Sequence, residues 1–178
     1  MAKASMSIDG FKGALRDGGA RPNLFEVSGA FGGILSPNPE ITSFLIKAAQ
    51  LPASTLGQIP VQYRGRTLKL AGDREFEPWT ITVINTNDFT IRRAFESWSN
   101  AINEHASNNS ALNLDYMQQW DVTQLNRDGS PATKYKLIDC YPSNISPIEL
   151  SHDSGNAIEE FTVTLEYQYW TNADSTDT

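Results

Sequence analysis

The stretch Trp79-Thr80-Ile81-Thr82-Val83-Ile84, with Asn85-Thr86-Asn87-Asp88 behind it and then Ile91, Phe95, Trp98 and Ile102 at spacings of four, three and four, decides the fold class. Trp79, Ile81 and Val83 fall on one face of the first segment and Thr80 and Thr82 on the other. That period of two marks a strand with one face buried. Pro78 suits the first position of such a strand, where no ladder donor is needed. The short side-chain oxygens of residues 85–88 can accept from free first-turn amides, which predicts a helix N-terminus. The apolar stripe behind them predicts a helix over about residues 88–104, with Arg92, Arg93, Glu96 and Asn100 off the stripe. A sheet with one helix laid against it is the plan from which the rest is read.

At 178 residues the chain suits a single domain with a substantial core. Apolar residues at 39% and charged residues at 20% fit a globular body. A formal charge of −7 argues against a sequence-independent nucleic-acid clamp, which needs clustered Lys and Arg. The single cysteine, Cys140, cannot make an internal disulfide, so nothing calls for an oxidising compartment. No apolar run resembles a secretory signal or approaches the roughly 18 residues of a membrane span. The expectation is a soluble protein in the cytoplasm where it is made.

Working outward, residues 1–20 read as an arm or a one-turn helix carrying Phe11 and Leu15. Leu24 to Val27 reads as a first strand, Gly29 to Asn38 as a loop, and Phe44-Leu45-Ile46, within Ile41 to Leu51, as a strand, with the Ala48-Ala49 pair leaving a helix open there. Pro52 to Pro60 reads as a break, and Val61 to Leu70 as a long strand bearing Arg64, Arg66 and Lys69, with Gly65 as a bulge. Ala71 to Phe76 reads as a charged turn containing Asp73 and Arg74. Asp128-Gly129, between runs 116–126 and 133–141, predicts a hairpin, and its mixed alternation predicts limited burial. Tyr141 to Asn144 reads as a break before a short strand over 145–150. In the last strand Phe161, Val163, Leu165, Tyr167 and Tyr169 share one face, and Glu160, Thr162, Thr164, Glu166 and Gln168 share the other. Residues 171–178 read as a disordered acidic tail. The division is therefore arm 1–20, domain 21–170 and tail 171–178.

Catalytic chemistry is hard to assemble from this inventory. Ser151-His152-Asp153-Ser154 holds hydrolase residue types, but triad members converge from separate elements, so a solvated turn is the preferred reading. No spacing of Cys, His or acidic residues matches a metal site, and no glycine-rich stretch matches a phosphate loop. No catalytic residue, metal or cofactor is expected. Cys140, within Leu137-Ile138-Asp139-Cys140-Tyr141, reads as a buried inert thiol.

An ordered set of fragments remains. It comprises Ala20-Arg21-Pro22-Asn23-Leu24-Phe25, Ala71-Gly72-Asp73-Arg74 with Phe76, Trp79-Thr80 with Thr82-Val83, and Tyr141-Pro142 with Asn144. Leu150, Asp153, Asn156-Ala157-Ile158, Phe161-Thr162-Val163-Thr164-Leu165 and Tyr169-Trp170 complete it. In order and separation these resemble the tail tube proteins of contractile-tailed, T-even-like bacteriophages across about residues 20–170. The chain departs from that pattern at Gly29 to Asn38, at Glu104 to Asn113 and after Trp170.

The resemblance implies a mainly β (α+β) antiparallel sandwich or barrel-like subunit with one flanking helix, whose inner sheet joins a multi-subunit barrel. Six such subunits would form a ring, and stacked rings a hollow tube through which DNA passes on ejection without specific binding. The implied partners are further copies of the chain and sheath, baseplate and terminator proteins, with no membrane. Closing sheets across subunits would remove exposed edges, and an acidic bore would repel phosphates. The predicted interface residues are Phe11, Leu15, Arg64, Arg66, Lys69, Asp73, Arg74 and Trp170. The predicted polar face, a candidate lumen lining, is Thr80 and Thr82 or Glu160, Thr162, Thr164, Glu166 and Gln168. A tube protein of a type VI secretion or contractile bacteriocin machine, and a monomeric glycan-binding β-sandwich using Tyr167 and Trp170, are the rival readings.

Overall fold

A computed structural model describes residues 8–15, 19–33, 35–110 and 116–172. Most of the predicted acidic tail and parts of the N-terminal arm lie outside the described residues. The elements run α1 Ile8–Ala14, β1 Phe25–Gly29, α2 Pro39–Leu45, β2 Ile46–Ala48, β3 Ser54–Tyr63, β4 Arg66–Phe76, β5 Trp79–Ile84 and α3 Thr90–Ile102. They continue with β6 Gln118–Leu125, β7 Pro131–Ile145, β8 Glu160–Glu166 and β9 Tyr169–Asn172. All the pairings are antiparallel: β1-β6-β7-β8-β5-β2 form one path, β9 also pairs with β7, and β3 and β4 pair with each other.

One long strand joins two sheets. The first part of β7 lies between β6 and β9, and its last part, from Tyr141, pairs with β8. The turn from one sheet to the other falls at Asp139, whose φ is +58°, where Gln168 donates its N–H to Ile138 O at 3.0 Å. Inward parity switches there, because a bulged corner moves every later side chain to the opposite face. Leu137 and Cys140 are therefore both buried. Tyr167 is buried before the corner, whereas Tyr169 is exposed beyond it and Trp170 takes the inward position. This corrects the expected single face running to Tyr169.

The core fills the space between the sheets and α3. Trp79, Ile81 and Val83 of β5 face Leu165, Val163 and Phe161 of β8 in register, and all six are buried. From α3, Ile91, Ala94, Phe95 and Trp98 join them. Trp98 and Trp120 stack at 6.4 Å and 9°, and the Phe31 ring stands edge-on to Phe95 at 4.9 Å. Each of the four indole N–H groups finds a carbonyl: Trp79 at Gln50, Trp98 at Tyr116, Trp120 at Ala30 and Trp170 at Ala53. Satisfied donors are what allow such large amphipathic rings to be buried.

The end of β1 and the loop after it are pressed onto this cluster. A Cβ at Gly29 would lie 2.2 Å from the Trp120 ring, one at Gly32 2.4 Å from Trp98 Nε1, and one at Gly33 2.8 Å from the Trp98 backbone nitrogen. These glycines thus serve close packing against α3 and β6.

Several local expectations change. Besides α3, the described residues contain α1 and α2. Asn38 Oδ1 accepts from Glu40 N at 3.0 Å, with Pro39 in the first turn, so residues 39–45 wind into a helix that takes Phe44 and Leu45 from the expected strand, of which Ile46 remains as the start of β2. Phe89, with φ +54°, occupies the N-cap of α3, while Asp88 Oδ1 accepts from Thr90 N at 3.3 Å. The β6–β7 hairpin is well buried, since Trp120, Val122 and Leu137 share its inner face. No break occurs at Tyr141 to Asn144: β7 continues through Pro142 with a register shift before Asn144 and ends at Ile145. Pro142 sits at that irregularity, where the lack of an N–H is tolerated.

Candidate functional site

The largest revision concerns residues 54–76. The expected break and the expected charged turn are both strand, and the expected bulge at Gly65 is the hairpin's turn. Arg64 (φ +46°) and Gly65 (φ +78°) are both left-handed, as a two-residue hairpin turn of matching twist requires. Gly57 and Gly72 face each other where the register shifts, and a Cβ on Gly72 would lie 3.2 Å from the Gly57 backbone. Asp73 and Arg74 therefore stand in β4, and Arg74 Nη1 donates to Ser54 Oγ at 3.3 Å.

Register separates this hairpin into two faces. Ile59 pairs with Leu70, Val61 with Leu68, and Tyr63 with Arg66, so five large apolar or aromatic side chains share one side. Gln58 pairs with Ala71, Pro60 with Lys69, and Gln62 with Thr67 on the other, where Thr67 Oγ1 donates to Gln62 Oε1 at 3.0 Å. Neither face is covered: Leu68 is 56% exposed and Tyr63 65%. A two-stranded ribbon is marginal by itself in water, and an exposed apolar face of this size is of the kind that marks contact sites on proteins.

A second surface lies on β5 and β8. Thr80 pairs with Thr164 and Thr82 with Thr162, and the Thr80 and Thr164 hydroxyls are 3.3 Å apart. The two polar faces expected separately are therefore one face, and Glu166 continues it. At its margin Lys47 Nζ meets Glu160 Oε1 at 2.6 Å, which offsets one of the carboxylates. Gln168 stands at the corner beyond. The face is rows of short hydroxyls with few charges.

The other predicted interface residues are scattered. Phe11 and Leu15 are exposed on and just after α1, with Ile8 on the same side. Arg64, Arg66 and Lys69 stand on the outer half of the hairpin. Trp170 instead packs inside the subunit, its ring 5.4 Å from Tyr135 at 71°. Phe44, 84% exposed, and Ile41 on the same side of α2 are not among the residues expected from the sequence, where Phe44 falls in a strand. Their three-residue spacing was the available signal.

The described residues hold no group of three or more His, Cys, Asp or Glu suited to a metal. They also contain no helix long and apolar enough to cross a membrane. Cys140 is buried, and that burial pushes its thiol up to about 12. Ser151 Oγ accepts from Asp153 N within an exposed turn, a local hydrogen bond that gives His152 no orientation.

A subunit with a filled core, an open amphipathic ribbon and a separate hydroxyl-lined sheet face is a structural component of a larger assembly. The phage tail tube protein family matches residues 20–173, and the chain belongs to that family, as a subunit of a virion tail tube. Tail tube protein gp19 of Enterobacteria phage T4 is 33% identical over 168 residues, covering 93% of this chain and 99% of that one. Among solved structures, a chain of the anti-feeding prophage baseplate superposes with a TM-score of 0.65 at 18% identity, covering 86% of this chain and 94% of the other. A chain from the sheath–tube complex of an extracellular contractile injection system, in its extended state, gives 0.60 at 14%, covering 94% and 98%. These two likenesses are of fold.

Proposed function

We propose that this subunit forms six-membered rings which stack into a hollow tube, and that the Thr80, Thr82, Thr162, Thr164 and Glu166 face lines the bore. The observation that carries this reading is the uncovered apolar face of β3–β4, which an adjoining copy can bury. With Ile59, Val61, Leu68 and Leu70 packed on a neighbour, Gln58, Gln62, Thr67 and Lys69 remain on the outer side of the ribbon. Lateral contacts that close and axial contacts that do not close yield a ring and a filament. Phe11 of α1 and Leu15 just after it, together with Asp73 and Arg74 of β4, supply further contact surface. Outside the tube, sheath, baseplate and terminator proteins are the expected partners.

A bore of threonine hydroxyls with sparse carboxylates suits DNA in transit. It offers weak, exchangeable hydrogen bonds and no cationic cluster that would retain phosphates. Position-specific labelling tests the assignment. A Thr164→Cys chain, assembled and then treated with a maleimide on a large polymer, should react only near tube ends, while a small maleimide should react throughout. Equal reaction with both reagents would place Thr164 on the outside and refute the lumen assignment.

A further inference from the structure

The hairpin is rooted at one end of the β5–β8 ladder, and a hollow lies at the other end. The hairpin leaves the body where Trp79 pairs with Leu165: Tyr167 O–H donates to Ala53 O at 3.3 Å, and Phe76 lies 6.0 Å from the Tyr167 ring. The hollow, about 350 Å³, is lined by Asn85, Thr86, Asn87, Phe89, Ala157, Ile158 and Glu159 and lies past Ile84, which pairs with Glu160. Six residues of β5 separate the two ends, a span of about 20 Å, whereas the ten residues of β3 reach about 30 Å. A projection at one end and a socket at the other form a head-to-tail contact, the kind that propagates without closing.

Chemistry matches the geometry. From Gln50 to Gly72 the chain carries no Asp or Glu, and from Leu137 onward it carries no Lys or Arg. Among the described residues Arg64 and Arg66 have no carboxylate partner, and the Arg64 guanidinium lies 5.4 Å over the Tyr63 ring. In the hollow, Glu159 Oε2 accepts from Asn85 Nδ2 at 2.8 Å, which fixes the carboxylate in place. Ile158 is 72% exposed at its edge, and Phe89, also in the lining, is partly exposed.

We infer that this hollow receives the hairpin tip of the next copy along the tube, with Arg64 on Glu159 and the Tyr63 ring on Phe89 and Ile158. The inference rests on the tube reading above and names the receiving site. An amphipathic ring beside a guanidinium is the usual make-up of an interface anchor, and pairing Arg with a positioned carboxylate gives register as well as attraction.

Cross-linking and charge exchange test it in the full-length chain. In a Gln62→Cys, Asn156→Cys double variant, a short bismaleimide added to assembled tubes should give a ladder of many covalently linked copies. Equimolar mixtures of the two single variants should stop at dimers. The buried Cys140 leaves the background clean. Separately, Arg64→Glu and Glu159→Lys should each raise the concentration needed for tubes by roughly tenfold or more, and their combination in one chain should bring it back. Tubes that form normally but give no ladder, together with charge variants that do not rescue each other, would overturn the socket and leave the tube reading intact. A wild-type chain that never forms tubes would overturn both.

Discussion

Replacing Gly29 by alanine should destabilise the subunit sharply although only one methyl group is added. Gly29 pairs with Trp120 across β1 and β6, and the new Cβ would lie 2.2 to 2.5 Å from three atoms of the indole ring. The ring cannot yield. Its other side stacks on Trp98 at 6.4 Å and Phe95 at 5.8 Å, Phe31 stands edge-on at 5.5 Å, and its Nε1 donates to Ala30 O at 2.9 Å. Overpacking a closed core costs about 1–3 kcal/mol, and loosening the indole hydrogen bond adds about 1 kcal/mol. The expected loss is therefore about 2–4 kcal/mol. In a chain of this length that lowers the melting temperature by roughly 5–15 °C. Thermal unfolding of the unassembled subunit, followed by tryptophan fluorescence, reads the effect. Gly155→Ala, where a Cβ would meet nothing within 4 Å, is the control and should be close to neutral. A Gly29→Ala chain that melts together with this control would refute the account of this segment as a clamp on the aromatic core.

On the hairpin, Leu68→Asp should leave the subunit's melting temperature within about 2 °C, since its side chain is half exposed, yet abolish tubes in negative stain; persistence of tubes counts against the apolar face as an interface. Hydrogen bonds from the Thr86 hydroxyl, and then from the Thr90 hydroxyl and amide, hold Asp88 near a pKa of about 2 instead of 3.8. A carboxyl depressed in this way stabilises the fold above its unfolded pKa of roughly 4, and that contribution is lost as pH falls through about 2. Carbon-detected NMR titration should show the low midpoint, and Thr86→Val should move it upward; an unshifted midpoint in the native chain contradicts the capping geometry. Cys140, pushed up to about 12 by burial, should resist iodoacetamide at pH 8 in the folded subunit and react at once on denaturation.

What could be read from the chain followed how cleanly each local signal was written. Trp79 to Ile84 and Phe161 to Leu165 alternate strictly, so strand, buried face and polar face were all legible. What the alternation lacked was pairing: only the β5–β8 register shows that Thr80 and Thr82 continue the face of Thr162 and Thr164. The corner at Asp139 was invisible because a left-handed aspartate in a strand has no distinct pattern, and it reversed the faces of Tyr169 and Trp170. The hairpin was misread because Pro60, Gly57 and Gly72 look like breakers; in a ribbon open on both sides they stand at edge and bulge positions. Its turn, Arg64-Gly65, lacks the Asn or Asp usual before the glycine. Trp120 and Val122 did share a parity, but Gln118 and Gln124 on the same parity hid the buried face.

The central claim is that the β3–β4 ribbon is completed by other copies, and that this encloses a bore lined by threonine hydroxyls. Cryo-electron microscopy of the assembled full-length chain tests it directly. The account predicts tubes in which Ile59, Val61, Leu68 and Leu70 are covered by an adjoining subunit while Thr80, Thr82, Thr162 and Thr164 face the channel. Tubes with the ribbon exposed to solvent, or with the threonine face on the outside, would contradict it.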